Sequence, residues 1–388
     1  MITRIATGTL RHLDSRLSFS IAVPIRDHVE FLETALRSVE SQNVAVEVAA
    51  LDASDDDRAQ QILTAHRVPV AYGYHRRDGG QAAAIHDGWA HTSGDIVAWL
   101  NVDDFYFRHA LDRVAAVFEA QRDVDVVYGH AVHVSEDGDF LGYFPAIDTN
   151  PQSLTRGCSV CQPACFVRRR AIEQVGGVNT ALHYTMDWDL WLRLYRAGCR
   201  FAFLDAPLAV VRIHAATKTM SRAPQRYREI AALLKGAGVS STSRARTLAA
   251  FYRYDLQQRR SSAFDRVAYG LMSFIASLRR RTSSPLVVRG IECWTNQVHG
   301  RCRVELPWFG DASDASITVT TDRPVDLAFE SGPRAGALAT DGTVKLRHDG
   351  EDVQGHRYVG RVPIEDGTLS VSLSAERAPW RLLRMRAS

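Results

Sequence analysis

The sequence predicts an α/β domain on a mostly parallel sheet, then a helical basic segment and a C-terminal β-sandwich-like region. Three observations carry this. Short apolar runs alternate with amphipathic stretches over roughly the first 215 residues. One run, Ile96 to Leu100, is apolar almost throughout, as in a strand covered on both faces. After Ser284 helical spacing gives way to short alternating runs such as Ile317-Thr318-Val319 and Leu369-Ser370-Val371-Ser372-Leu373, separated by Asp341-Gly342 and Asp366-Gly367 turns.

In order, Phe19 to Val23 is β-rich and closes on Pro24, which lacks the amide a ladder needs. Val29, Leu32, Leu36 and Val39 form one helical stripe. Val46 to Leu51 is the second strand, ending at Asp52, and Val70 to Tyr74 the third. A helix with Ile85 and Trp89 follows Gly79-Gly80, and Leu111, Val114 and Phe118 mark another after the fourth strand. The expected units are residues 1–219 as the catalytic domain, 220–283 as a basic helical segment, and 284–388 as a β-rich accessory domain.

The 388 residues are 46% hydrophobic and 23% charged, with a net charge of +3, so no strongly charged polymer is implied as partner. The opening residues carry no signal-like apolar run, and no stretch reaches the roughly 18 apolar residues of a membrane helix. A cytoplasmic protein with reduced cysteines is expected. Cys158, Cys161 and Cys165 resemble half a zinc site, but buried core thiols are the commoner meaning. Cys293 and Cys302 would pair only in an exported protein. Nine arginines against Asp255 and Asp265 between Ser241 and Arg281 fit a solvated face, an oligomer contact, or a helix resting on the inner face of an anionic membrane. Nucleic acid is not implied, because aromatic stacking platforms are not interleaved with the arginines.

Ligands of open α/β sheets bind outside the carboxyl ends of the strands. The polar groups there are Pro24 to Asp27, Asp52 to Asp57, Asp78 to Gln81, and Asn101 to Asp104. The last group ends a buried strand with two adjacent carboxylates. Such hard oxygen donors suit Mg²⁺ or Mn²⁺ bridging to a diphosphate, or else a helix N-cap.

The motifs Val23-Pro24, Asp78-Gly79-Gly80-Gln81, Gly94-Asp95 through Asp103-Asp104, Cys161-Gln162-Pro163-Ala164-Cys165-Phe166, Gly176-Gly177-Val178-Asn179, Asp187-Trp188-Asp189 and Val211-Arg212-Ile213-His214 resemble the family-2 glycosyltransferases of the GT-A fold, over about Ser18 to Thr219. The resemblance implies a Rossmann-like nucleotide-sugar-binding domain and inversion at the anomeric carbon. It implies that Pro24 and Asp52 line a nucleoside pocket, and that Asp78 and Gln81 approach the base or ribose. Asp103 and Asp104 would bind Mn²⁺ or Mg²⁺, with His214 facing the metal or diphosphate, and Asp187 would be the acceptor-activating base. Two departures stand out. Asn101 opens the metal motif where relatives often have Asp, and Met186 stands where an acid often precedes the base.

The expected activity is transfer from a nucleotide-diphosphate sugar, UDP favoured, to a hydroxyl of a saccharide or lipid-linked saccharide in polysaccharide or lipopolysaccharide assembly. An oxidoreductase is disfavoured because Pro24-Ile25-Arg26-Asp27 replaces the Gly-rich turn after the first strand. A non-catalytic carbohydrate-binding relic remains the alternative.

Overall fold

In the computed structural model the described residues run from Leu17 to Gln258, apart from 108, 137–139, 145–150, 156, 215 and 219–222. Thr3–Ile5 and, as backbone, the strands between Val287 and Ala387 are also described. The basic run from 259 to 281 falls outside these residues, as do the side chains of the C-terminal strands.

The elements follow the expected alternation: β1 (Thr3–Ile5), β2 (Ser18–Ile25), α1 (Leu32–Glu40), β3 (Ala45–Asp52), α2 (Arg58–Ala65), β4 (Val70–His75), α3 (Gln81–Ala90), β5 (Ile96–Trp99), β6 (Phe105–Tyr106), α4 (Ala110–Ala120) and β7 (Val126–Ser135). Then come β8 (Phe140–Tyr143), β9 (Cys165–Arg168), α5 (Arg169–Val175), α6 (Met186–Arg196), β10 (Phe201–Ile213), α7 (Pro224–Gly236) and α8 (Ser241–Gln258). The sheet order is β1-β10-β7-β9-β5-β2-β3-β4. The β4-β3-β2-β5 and β7-β10-β1 blocks are parallel, and β9 joins them antiparallel to both β5 and β7.

Side chains of successive strand residues point to opposite faces, and this pleat divides the apolar runs between two cores. Phe19, Ile21, Val23, Ile96 and Ala98 pack on one side, with α1 and α4. Ala22, Val97 and Trp99 pack on the other, with α3 and α6. All four residues of β5 are buried, as the uninterrupted run predicts for a strand covered on both faces. Trp99 stacks on Trp191 of α6 at 5.9 Å and meets Trp89 of α3 edge-on at 5.6 Å.

One boundary differs from expectation. β2 continues through Pro24 to Ile25, with Pro24 opposite Leu51 of β3. The pairing of β2 with β5 stops at Ala22 opposite Trp99, so Pro24 lies where only one neighbouring strand remains and its missing N–H is tolerated.

Gly94 fixes the start of β5. Its N–H donates to Ser20 Oγ at 2.8 Å and Glu47 Oε1 at 2.7 Å, while Arg169 Nε donates to its carbonyl at 2.7 Å. A Cβ there would lie 2.7 Å from Ser20 N and 2.8 Å from Phe19 C, backbone atoms that cannot rotate away. Gly94→Ala should therefore lower unfolding free energy by about 1–3 kcal/mol in urea titration. An unchanged midpoint would show that the strand start can shift freely.

The C-terminal region has two antiparallel sheets. One orders Val287–Thr295, Val298–Pro307, Asp314–Thr321, Gly367–Ala375 and Leu338–Thr340. The other orders Arg347–Asp352, Gly355–Val362, Val325–Ser331 and Trp380–Ala387. Among the described residues no helix is long and apolar enough to cross a membrane.

Candidate active site

A cavity of about 920 Å³ opens at the carboxyl ends of the parallel strands. Seven of the eight residues singled out in the sequence line it: Pro24, Asp78, Gln81, Asp103, Asp104, Asp187 and His214. They come from five separate places: the end of β2, the loop into α3, the turn after β5, the first turn of α6 and the end of β10.

The eighth, Asp52, differs from expectation. It is fully buried, and its carboxylate accepts from Ser54 N–H at 2.9 Å, Ser54 Oγ at 2.6 Å and Gln60 Nε2 at 2.8 Å. Its neighbours Leu51 and Ala53 line the cavity while Asp52 itself braces the strand end beneath it. A carboxylate at the buried end of a strand needs such donors, and Ser54, two residues on, supplies them in an Asx-type turn.

After β5 the chain turns sharply, Asp104 N–H donating to Asn101 O at 3.1 Å, and both carboxylates reach the cavity. Asp103 Oδ2 lies 3.0 Å from His214 Nε2, so the imidazole carried on β10 meets the acid carried on β5. That contact raises the His214 pKa. His214 also packs on the ring of His28 at 4.3 Å, a residue held at φ 57° in the left-handed region. Asp104 is almost wholly buried, and its pKa is pushed well above the ordinary carboxylate value by that burial and by the Asp103 charge next to it. Arg212, fully buried, offers its backbone N–H to Asp104 at 3.3 Å and partly offsets the charge.

Asn101 now has a physical explanation. Its amide nitrogen donates to Asp104 Oδ2 at 3.0 Å and Gln162 Oε1 at 3.2 Å, while its oxygen accepts from Gln81 Nε2 at 2.6 Å. An aspartate could make only the last of these and would set a third carboxylate beside Asp103 and Asp104. Lys218 completes the chain, donating to Gln81 Oε1 at 2.6 Å, with burial lowering its pKa.

Asp187 lies in the first turn of α6, which begins at Met186, so the base candidate is carried on a helix. Burial pushes its pKa up to about 6. Asp189 is bound to Arg193 Nε at 2.7 Å, one turn along, and serves the helix surface. Met186 is buried, so the position before Asp187 contributes to packing. Cys158 and Cys161 reach the cavity wall as free thiols whose pKa burial raises.

Two residues escaped the sequence reading. Lys218 has no motif of its own beyond lying four positions after His214. Glu229 reaches the Asp187 segment from α7 across more than forty positions.

An α/β domain with acidic and imidazole groups gathered at its strand ends belongs to the architectures that bind ligands at that edge. Residues 20–176 match the model of Glycosyl transferase family 2, and this part of the chain is similar to the domains of that family. An uncharacterized glycosyltransferase of Rickettsia conorii is 23% identical over 195 residues, 46% of this chain and 31% of that protein. The O-antigen biosynthesis protein RfbC of Myxococcus xanthus is 27% identical over 219 residues, 52% of this chain and 16% of that protein. A crystal structure of S. aureus TarS 1–349 with UDP-GlcNAc aligns over 68% of this chain and 82% of that chain, at 14% identity and a TM-score of 0.49. The matched region thus spans under a third of the length of the Rickettsia conorii and Myxococcus xanthus relatives.

Proposed function

We propose that the chain transfers a sugar from a nucleoside-diphosphate donor, a UDP-sugar first, to a hydroxyl of a saccharide or lipid-linked saccharide, with inversion. One observation carries this: a single cavity holds Asp187 together with Asp103, Asp104 and His214. An in-line displacement needs a proton acceptor beside the attacking hydroxyl and charge stabilisation at the leaving group.

The donor set fits a hard divalent cation. Asp103 meets the His214 imidazole and Asp104 lies beside it on the cavity wall, its pKa raised by burial and by the Asp103 charge, which a cation would relieve. Among the described residues no three His, Cys, Asp or Glu side chains are gathered in ligand positions. Asp103, Asp104 and His214 are thus a partial set for Mn²⁺ or Mg²⁺, of the kind that substrate phosphate oxygens complete. When bound, such a cation supplies positive charge against the departing diphosphate.

The chain's own residues do the rest. Lys218 sets a second positive charge on the same wall. Asn101, Gln81 and Gln162 hold the acid pair by neutral amides, adding no negative charge where the diphosphate must bind. Asp187, ionised, takes the acceptor proton as the hydroxyl attacks. Pro24 and Asp78 would border the nucleoside, with Asp52 shaping the floor from beneath. The name of the Myxococcus xanthus relative supports a cell-surface polysaccharide setting. The arginine run beginning in α8 is the part of the chain suited to an anionic membrane face.

The test is nucleoside diphosphate release from UDP-glucose, UDP-galactose, UDP-N-acetylglucosamine and GDP-mannose with Mn²⁺. Release should fall as pH drops through about 6, because the carboxyl of Asp187 must be unprotonated to act. No release from any donor favours the binding-relic alternative, and a flat profile from about pH 5 to 8 rejects Asp187 as the titrating base.

A further inference from the structure

Helix α7 lies beyond residues 20–176, yet one of its carboxylates reaches back to the segment carrying Asp187. Glu229 Oε2 accepts from Tyr184 N–H at 2.7 Å and Thr185 N–H at 3.1 Å. Its Oε1 accepts from His183 N–H at 3.2 Å, and Oε2 lies 3.3 Å from the same nitrogen. Thr185 Oγ1 at 3.4 Å and Gln225 Nε2 at 3.0 Å complete the set. Thr185 is the N-cap of α6 and makes no side-chain cap of its own. Amides entering a helix have no intrahelical acceptor and carry partial positive charge, so a carboxylate from outside satisfies both needs.

We propose that Glu229 is a positioning residue for transfer, holding His183 to Thr185 so that Asp187, two residues on, presents its carboxylate to the cavity. The proposal rests on the reading of Asp187 as base. Three features set this apart from ordinary helix capping. The clamped backbone leads directly into the turn bearing the base. Asp187 Oδ1 is occupied by Trp188 N–H at 2.7 Å, so the acceptor must be met by its other oxygen, and a small rotation of the turn would turn that oxygen away. The clamp is also mounted on a docked helix, since Ile230 and Leu234 of α7 are 2% and 0% exposed. Glu229 further supplies the largest opposing charge to the burial of Lys218, so one carboxylate acts on the base segment and on a lysine lining the same cavity.

Hydrogen exchange and steady-state kinetics on the full chain test this. In Glu229→Gln the amides of His183 to Thr185 should exchange at least about tenfold faster. Nucleoside diphosphate release from the best of the four nucleotide sugars should fall at least about tenfold, with UDP affinity in Mn²⁺ unchanged. The acid limb should move below about 6, as water reaches Asp187 and lowers its pKa. The thiols of Cys158, Cys161 and Cys165 are untouched, whereas Lys218 loses the opposing charge of Glu229; its charge is read from the UDP affinity, and where that affinity holds a moved limb reports the base itself.

Leu234→Ala separates positioning from packing. It should lower Tm without moving the limb or selectively exposing those amides. If Glu229→Gln does not fold, Glu229→Asp, one methylene shorter, is measured in the same way. Unchanged protection, or loosened amides with an unmoved limb and turnover, overturns the proposal. Release that survives Asp187→Asn overturns the base assignment instead, and the two failures are read from different variants.

Discussion

Asp187→Asn is expected to lower transfer by about 10²–10⁴-fold, the usual contribution of a positioned general base, while leaving nucleotide binding intact. The substitution keeps shape and one carbonyl oxygen, so the bond from Trp188 N–H survives while the proton acceptor is lost. A stability effect of opposite sign should accompany it. Asp187 has its pKa raised to about 6 in the folded chain, against an ordinary value of 3.8. The native state therefore binds the proton more tightly than the unfolded chain, and stability declines as pH rises through that window. Above it the fold carries an ionised, desolvated carboxylate, which a neutral amide relieves. The same substitution should thus raise Tm at pH 7.5, by about 2–4 °C for each kcal/mol relieved, and the gain should vanish below about pH 4. Near-native turnover would reject the role. A Tm gain that persists at acid pH would reject the burial argument.

That pairing of lost activity and gained stability is the mark of a group placed for chemistry against its own solvation preference. The same conflict appears at Asp104, where burial and the neighbouring Asp103 both oppose ionisation. By contrast Asp189, on the same helix turn, is bound to Arg193 and Asp52 to Ser54 and Gln60. Two kinds of aspartate therefore line or support one site, and the sequence does not mark them apart.

What the sequence made legible was local. The β5 run reads as a strand covered on both faces because every side chain in it is apolar, and both cores are present. The Asn101-Val102-Asp103-Asp104 turn reads as a candidate site because two adjacent carboxylates close a buried strand, although a helix N-cap uses the same residue types. Pro24 misled about a boundary, since whether a proline is tolerated depends on how many neighbours its strand has at that level, a property of the sheet order. The function of Asn101 was invisible for a related reason: its partners Gln81 and Gln162 lie twenty and sixty-one positions away. Lys218 and Glu229 stayed hidden because single charged residues on a polar helix or loop are ordinary in sequence, and only the packing of α7 against the start of α6 gives them partners. Local periodicity fixes elements, while the contacts that tune a site are long-range.

Replacing the acid pair should have the other large effect, and its signature is again two-sided. Asp103 touches His214 and raises Asp104, so Asp103→Asn removes a like charge from a buried neighbour. The free protein should gain stability at neutral pH. Donor binding should be lost, because the diphosphate then faces a wall with no pair of hard anionic donors to share a cation. Charge stabilisation of this kind contributes several kcal/mol, which at 1.36 kcal/mol per decade is about 10²–10³-fold in turnover. Asp104→Asn should show the same loss. Thermal shift reads both halves at once: a higher Tm without ligand, and no further rise on adding UDP-sugar with Mn²⁺, where the native sequence rises and EDTA abolishes the rise. Lys218 alone could hold a diphosphate without a cation, and that arrangement predicts the reverse, a ligand shift that survives both EDTA and Asp104→Asn. Such a result would move the weight of leaving-group stabilisation from the acid pair to the lysine, and with it the reason for a neutral amide at Asn101.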